Sequence, residues 1–177
     1  MKATDVIIYT DMDGTALTDW SLGPVVPERN LARIRAFVSA GGLFSVASGR
    51  QAPGILQLFP GVAFHAPLVC GNGSVIYDPA EQQVLRKTCL PPDYKCACVS
   101  YFLTHPEVWI VAADETRIWQ IVSGDPARDD QLNDWPRPRM SIEDFLSGDY
   151  VKVVYILAEG GDMEALKHEV AALPGAE

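Results

Sequence analysis

Residues 6–9, Val-Ile-Ile-Tyr, are apolar without a break and lead directly into a polar loop that carries two acids, Asp11 and Asp13. A strand with one wet face alternates apolar and polar residues. An unbroken run instead suits a strand buried on both faces, as in a parallel sheet. The pattern continues. A polar, Gly-containing loop from Thr10 to Pro24 leads to Pro27, which opens a helix with Leu31, Ile34, Phe37 and Val38 on one face. Gly41-Gly42 closes it. Leu43 to Ala47 reads as a second buried strand, Pro53 to Phe59 as a short helix and Pro67 to Cys70 as a third strand. Strand and helix alternate as in a Rossmann-like α/β domain with a doubly wound parallel sheet.

The character changes after Cys70. Ser74 to Tyr77 and Val84 to Thr88 flank a turn at Asp78-Pro79, a hairpin signal. Pro92 to Thr104 predicts a helix, and Val108 to Ala113 and Arg117 to Val122 predict strands joined near Asp114-Glu115. Residues 123–139 read as a loop. Ser141 to Leu146 reads as a short helix capped by Ser141, Val151 to Leu157 as a strand and Met163 to Leu173 as an amphipathic helix. Hairpins mixed with helices are typical of α+β. The expected domains are therefore 1–80, α/β, and 81–177, α+β.

The formal net charge is −9, from 23 acids and 14 bases, with no basic cluster. Attraction to nucleic acid or to an anionic membrane is not expected. The segment Met1-Lys2-Ala3-Thr4-Asp5 has no signal-peptide core, and no apolar run approaches the ~20 residues of a membrane helix. The four cysteines, Cys70, Cys89, Cys96 and Cys98, form no C-x-x-C pair and are expected as thiols in a reducing compartment. A cytoplasmic protein is the expectation.

The segment Asp11-Met12-Asp13-Gly14-Thr15 follows the first strand, where ligands bind in open α/β sheets. One carboxylate can attack phosphorus while a neighbour two residues on handles the leaving-group proton. Carboxylate and carbonyl oxygens also suit Mg²⁺. Gly14 permits a sharp turn, and Thr15 offers a bracing hydroxyl. The same five residues could instead be only a turn with Asx chemistry. Ser48-Gly49-Arg50 ends the second strand, and a hydroxyl followed by backbone N–H groups makes a small anion cradle. Cys70-Gly71-Asn72-Gly73-Ser74 allows close approach to a ligand, or equally a hairpin or domain-junction turn.

These three segments, in this order, resemble the Cof-type branch of the haloacid-dehalogenase-like phosphatases. Asp11 to Thr15 is similar to the family's first motif and Ser48-Gly49-Arg50 to its second. Asn72-Gly73-Ser74 with Val-Ile-Tyr-Asp is similar to the segment leading into the cap domain. The resemblance implies that Asp11 forms an aspartyl-phosphate and that Asp13 protonates the leaving oxygen, then deprotonates water. It implies Mg²⁺ at the Asp11 carboxylate and the Asp13 main-chain carbonyl. Met12, Gly14, Thr15, Ser48 and Gly49 would surround the phosphoryl oxygens, and Arg50 and Asn72 would shape the substrate side. The implied substrate is a small phosphorylated metabolite, sugar-phosphate-like, and residues 81–177 would be the cap, with Trp109, Trp119 and Arg117 as candidate contacts.

The family's third-motif lysine and its fourth motif, G-D-x-x-N-D, are not found. Gly161-Asp162-Met163 lacks the downstream Asn-Asp, and Lys152 and Lys167 read as surface residues of the cap. The sheet would then lack its later strands and expose an edge. A fragment, a truncation or one half of a noncovalent pair is the expectation, with a complementing C-terminal half or a second copy as partner. Two other functions stay open: a non-catalytic phosphate-binding module and a phosphomutase of the same superfamily.

Overall fold

The computed structural model describes residues 2–17, 24–132 and 137–176. Residues 18–23 of the first polar loop and 133–136 of the second lie outside that description. The chain divides into two compact units, Met1–Thr88 and Cys89–Glu177.

In the first unit, β1 (Ile7–Thr10) pairs in parallel with β2 (Leu43–Val46), Ile7 opposite Leu43 and Thr10 opposite Val46. Helix α1 (Glu28–Ser39) connects them, starting after Pro27 and turning out through Gly41 at φ 89°. A positive φ there is cheap only for glycine. Helix α2 (Ala52–Leu58) then leads to β3 (Leu68–Cys70), which joins β2 through a parallel bridge between Ala47 and Val69. The unit is α/β with a parallel sheet, as the alternation predicts. Its core holds Phe44, Phe59 and Phe64, with ring centroids 5.8–5.9 Å apart.

β4 (Val75–Asp78) and β5 (Gln83–Lys87) extend β3 as an antiparallel meander. The division between units therefore falls after Thr88 rather than near residue 80, because β4 and β5 are hydrogen-bonded to the first unit's own strand.

One expectation is corrected. Ile7, Ile8 and Tyr9 are 50%, 42% and 45% exposed, not doubly buried. The reason is that, among the described residues, β1 pairs with β2 and with no second strand.

The second unit opens with α3 (Pro92–Thr104), followed by β6 (Val108–Ala113) and β7 (Ile118–Ile121). The expected loop over 123–139 contains a short helix, α4 (Pro126–Asp129), and ends in β8 (Arg139–Met140), parallel to β7. Then come α5 (Ile142–Ser147), β9 (Lys152–Leu157) and α6 (Met163–Ala171). The sheet order is β8-β7-β6-β9. β6 lies between two antiparallel partners and is buried throughout, as its unbroken apolar sequence requires. Ser141 caps α5 by accepting from the Asp144 N–H at 3.0 Å. Among the described residues no helix is long and apolar enough to cross a membrane.

Candidate active site

The first loop is shaped by one glycine. Asp13 at φ −74°, ψ 114° and Gly14 at φ 82°, ψ −1° are the central pair of a type II turn, whose second position demands positive φ. The turn brings the Thr15 hydroxyl back to donate to Asp11 Oδ2 at 3.3 Å. Thr10 Oγ1 donates to the Asp11 carbonyl at 2.9 Å, so both ends of Asp11 are braced. Met12 is fully buried, with its carbonyl accepting from Leu17 N–H at 2.9 Å. Its side chain therefore belongs to the core and not to the expected place beside a phosphate. Only its main chain could serve there.

The second loop is tied to the third. Ser48 N–H donates to Val69 O at 2.9 Å, Asn72 N–H to Ser48 O at 3.1 Å and Gly71 N–H to Arg50 O at 3.1 Å. Ser48 Oγ accepts from Arg50 N–H at 3.3 Å, which leaves its own O–H to donate. Of the two readings of the third segment, the structure shows the hairpin turn. Asn72 at φ 59°, ψ 31° and Gly73 at φ 96° are the left-handed central pair of a tight turn, closed by Ser74 N–H donating to Gly71 O at 3.3 Å, in the four-residue connection between β3 and β4. That turn also reaches the site. Asp11, Ser48, Gly49 and Asn72 line one open depression of about 300 Å³, together with Ala47, Val69 and Gly73. Ala47 and Val69 were not foreseen, whereas Gly73 lies in the turn already singled out.

Sequence reasoning also missed a link between the loops. Arg50 Nε donates to Asp13 Oδ2 at 3.1 Å and Nη2 to Oδ1 at 2.7 Å, a two-pronged ion pair. No spacing rule joins residues 37 apart; only the parallel pairing of β1 with β2 puts their loops side by side. Cys70, at the end of β3, is buried, and burial pushes its thiol up to about 11, so it is no nucleophile at neutral pH. Among the described residues no three His, Cys, Asp or Glu side chains converge as a metal cluster.

A family model described as haloacid dehalogenase-like hydrolase matches residues 8–176. The chain belongs to the haloacid dehalogenase-like hydrolases. Among curated members of that family, it is similar to the Escherichia coli K12 phosphatase YbjI, named for 5-amino-6-(5-phospho-D-ribitylamino)uracil. The two are 31% identical over 121 residues, 68% of this chain and 43% of that protein. Among solved structures of haloacid dehalogenase-like proteins, a subclass IIB sugar phosphatase superposes with a TM-score of 0.70 at 15% identity, covering 97% of this chain and 63% of the other. A phosphatase of the superfamily from Bacteroides thetaiotaomicron gives 0.71 at 16%, covering 96% and 61%. The chain thus spans less than half of the curated relative and under two thirds of these structures.

Of the residues singled out outside these loops, Trp109 departs from the candidate role named for it, whereas Asp162 and Lys167 stand as the sequence suggests. Trp109 is buried, its indole N–H donating to Arg128 O at 3.0 Å, so it is interior rather than a substrate contact. Trp119 donates to Asp114 Oδ2 at 3.3 Å, with the Arg117 guanidinium 5.9 Å from its ring. Asp162 caps α6 through the N–H groups of Glu164 and Ala165, a structural role that accounts for Gly161-Asp162-Met163. Lys167 pairs with Glu164 on the surface.

Proposed function

We propose that the first unit carries the nucleophile and anion cradle of a Mg²⁺-dependent phosphohydrolase acting on small phosphorylated metabolites of the sugar-phosphate kind. The observation that carries the reading is the meeting of Asp11, Ser48, Gly49 and Asn72 in one depression at the carboxyl ends of parallel strands. Thr15 engages Asp11 Oδ2, which leaves Oδ1 as the attacking oxygen. Oδ1 bonds to phosphorus as the ester P–O bond breaks, and Asp13 supplies the proton the leaving oxygen takes. Asp13 then accepts a proton from water, whose oxygen attacks phosphorus and returns the Asp11 carboxylate. The Ser48 hydroxyl and Gly49 N–H donate to phosphoryl oxygens where negative charge builds. Gly14 and Thr15 shape the same rim.

Hard oxygen donors fit Mg²⁺, which keeps several waters and takes only one or two carboxylates besides substrate phosphate. The Asp11 carboxylate and the Asp13 carbonyl would hold it, and it would neutralise phosphoryl charge. The second unit is assigned as the cap that selects substrate, and the four unpaired thiols fit a reducing compartment such as cytoplasm. The partner reading rests on β1. Val6 and Thr10 carbonyls accept from β2, so the main-chain groups of Ile7 and Tyr9 point to the other edge. A complementing strand-bearing polypeptide, or a second copy, is the partner that edge fits.

The test is Asp11→Asn with Mg²⁺ and a panel of phosphate esters, reading released phosphate and phosphorylated protein. Both should vanish, and full turnover by the variant would end the nucleophile assignment. One observation favours a second reading, a binding module: few side-chain carboxylates converge at the site among the described residues. It predicts ester binding with no phosphate release from the wild-type chain. Isomer formation without release would indicate a phosphomutase.

A further inference from the structure

We propose that Arg50 is a positioning residue for Asp13, so that the loop after β2 aims the acid/base carboxylate of the loop after β1. The inference rests on the reading of Asp13 given above and reassigns Arg50, which the sequence resemblance placed on the substrate side.

The geometry is specific. The guanidinium engages both oxygens of one carboxylate, at 3.1 Å and 2.7 Å. Such a fork fixes the plane of the carboxyl as well as its distance. Arg50 is the better anchored partner. Its main-chain N–H is tied to Ser48 Oγ and its carbonyl accepts from Gly71 N–H. Its side chain is 25% exposed, against 39% for Asp13. Asp13, by contrast, stands on a turn beside Gly14, the most permissive kind of backbone neighbour. Thr15 orients Asp11 within its own loop, whereas Asp13 takes its orientation from a loop 37 residues away. The candidate cradle and the acid are therefore linked through one side chain, so that a shift of Ser48-Gly49-Arg50 would pull on Asp13.

A residue that acts through Asp13 matters in proportion to how much the leaving group needs a proton. Alkoxide leaving groups need one, and p-nitrophenolate does not. The experiment compares an alkyl phosphate, glycerol phosphate, with p-nitrophenyl phosphate in wild type, Arg50→Gln, Arg50→Lys and Asp13→Asn. Misaiming a catalytic group by about 1 Å costs about 10²-fold. We expect Arg50→Gln to slow phosphoenzyme formation, read in a single turnover, about 10- to 100-fold more from the alkyl ester than from the aryl ester, with KM little moved. Arg50→Lys should recover only part of this, since a point charge cannot fork.

If Arg50→Gln raises KM on both esters while phosphoenzyme formation holds, or slows that step alike from both, Arg50 is a substrate contact or a structural residue and the positioning role is overturned. Asp13→Asn separates this failure from that of the parent reading. If Asp13→Asn slows phosphoenzyme formation from both esters alike, the assignment of Asp13 as the leaving-group acid fails, since only that step depends on the leaving group. The grip is also read without turnover, by a urea-unfolding cycle of Asp13→Asn, Arg50→Gln and the double variant. Coupled effects support the pair and strictly additive ones overturn it. Where the wild-type chain releases no phosphate from either ester, that cycle decides the grip.

Discussion

Gly14→Ala isolates the backbone demand of the candidate site. A Cβ built at Gly14 meets nothing within 4 Å, so no clash contributes, and the whole effect comes from φ 82°. An L-residue held in that region costs roughly 1–2 kcal/mol. Loss of glycine's freedom in the unfolded chain returns about 0.4–1 kcal/mol. The net cost is thus about 0.5–1 kcal/mol if the turn keeps its shape. The chain has a second route, flipping the central peptide toward a type I turn. That would swing Asp13 from ψ 114° and part it from Arg50. Either way Asn, which tolerates the left-handed region, should be milder than Ala, and Val worse. Hydrogen exchange at the Ala47 and Ser48 amides reads the stability of the first unit directly, since both are bonded across the parallel strands. A loss near 1 kcal/mol means roughly fivefold faster exchange where opening is global to the unit. The order Gly, Asn, Ala, Val should hold for both exchange protection and ester turnover. If Ala matches Gly in both, or Asn is no better than Ala, the positive φ at residue 14 is not what shapes the loop that carries Asp13.

Phe59→Ala should destabilise the first unit by about 3–5 kcal/mol, because the ring is buried against Phe44 and Phe64; loss of under ~1 kcal/mol in urea unfolding would show that the cluster does not hold the unit. Burial pushes the Asp114 carboxyl up, but bonds from the Thr116 and Arg117 N–H groups, the Thr116 hydroxyl and Trp119 outweigh it and hold the group below its ordinary 3.8. Its folded pKa is therefore depressed. The stability it lends the second unit is present above 3.8 and lost as pH falls through the folded value, and Asp114→Asn should flatten that acid limb of a pH–stability curve. Alkylation of the native protein near pH 8 should reach exposed Cys96 first, whereas buried Cys70, pushed up to about 11, and Cys98, also raised by burial, should react only on unfolding; mass spectrometry of early labelling at Cys70 would contradict their burial.

What the sequence made legible followed from period and punctuation. The helix after Pro27, the strand over 43–46, the hairpin after Cys70 and the buried β6 each rest on local signals, and the structure has them. The loops carrying Asp11, Ser48 and Asn72 were legible as site loops because each follows an apolar strand. What was hidden depends on distant neighbours. β8 is two residues long, too short for any alternation to register, and exists because β7 offers it a parallel edge. Arg128 looks like one more charge in a polar loop. In the fold it lies over the Phe102 ring at 4.1 Å and donates to three carbonyls, of Phe102, His105 and Val108. Met12 shows the opposite limit: its place between two candidate acids says nothing of its side chain, which is fully buried and leaves only its main chain to the loop surface.

The tension over β1 is the instructive one, because both sides of it are sound. Val-Ile-Ile-Tyr asks for apolar surroundings on both faces, and the structure leaves Ile7, Ile8 and Tyr9 about half exposed. An apolar strand with an open parallel edge is a liability that folded proteins cover. The strand that suffers it is also the one that delivers Asp11. Among the described residues β1 pairs with β2 alone, and the nucleophile proposed at its end would inherit that strand's local opening, of which catalytic geometry tolerates little. Occupying the outer edge of β1 would therefore do two things through one set of hydrogen bonds. It would remove about half-exposed apolar surface from water, and it would fix the loop from Asp11 to Thr15 relative to Ser48. Completing the sheet and making the site competent are, on this reading, the same event.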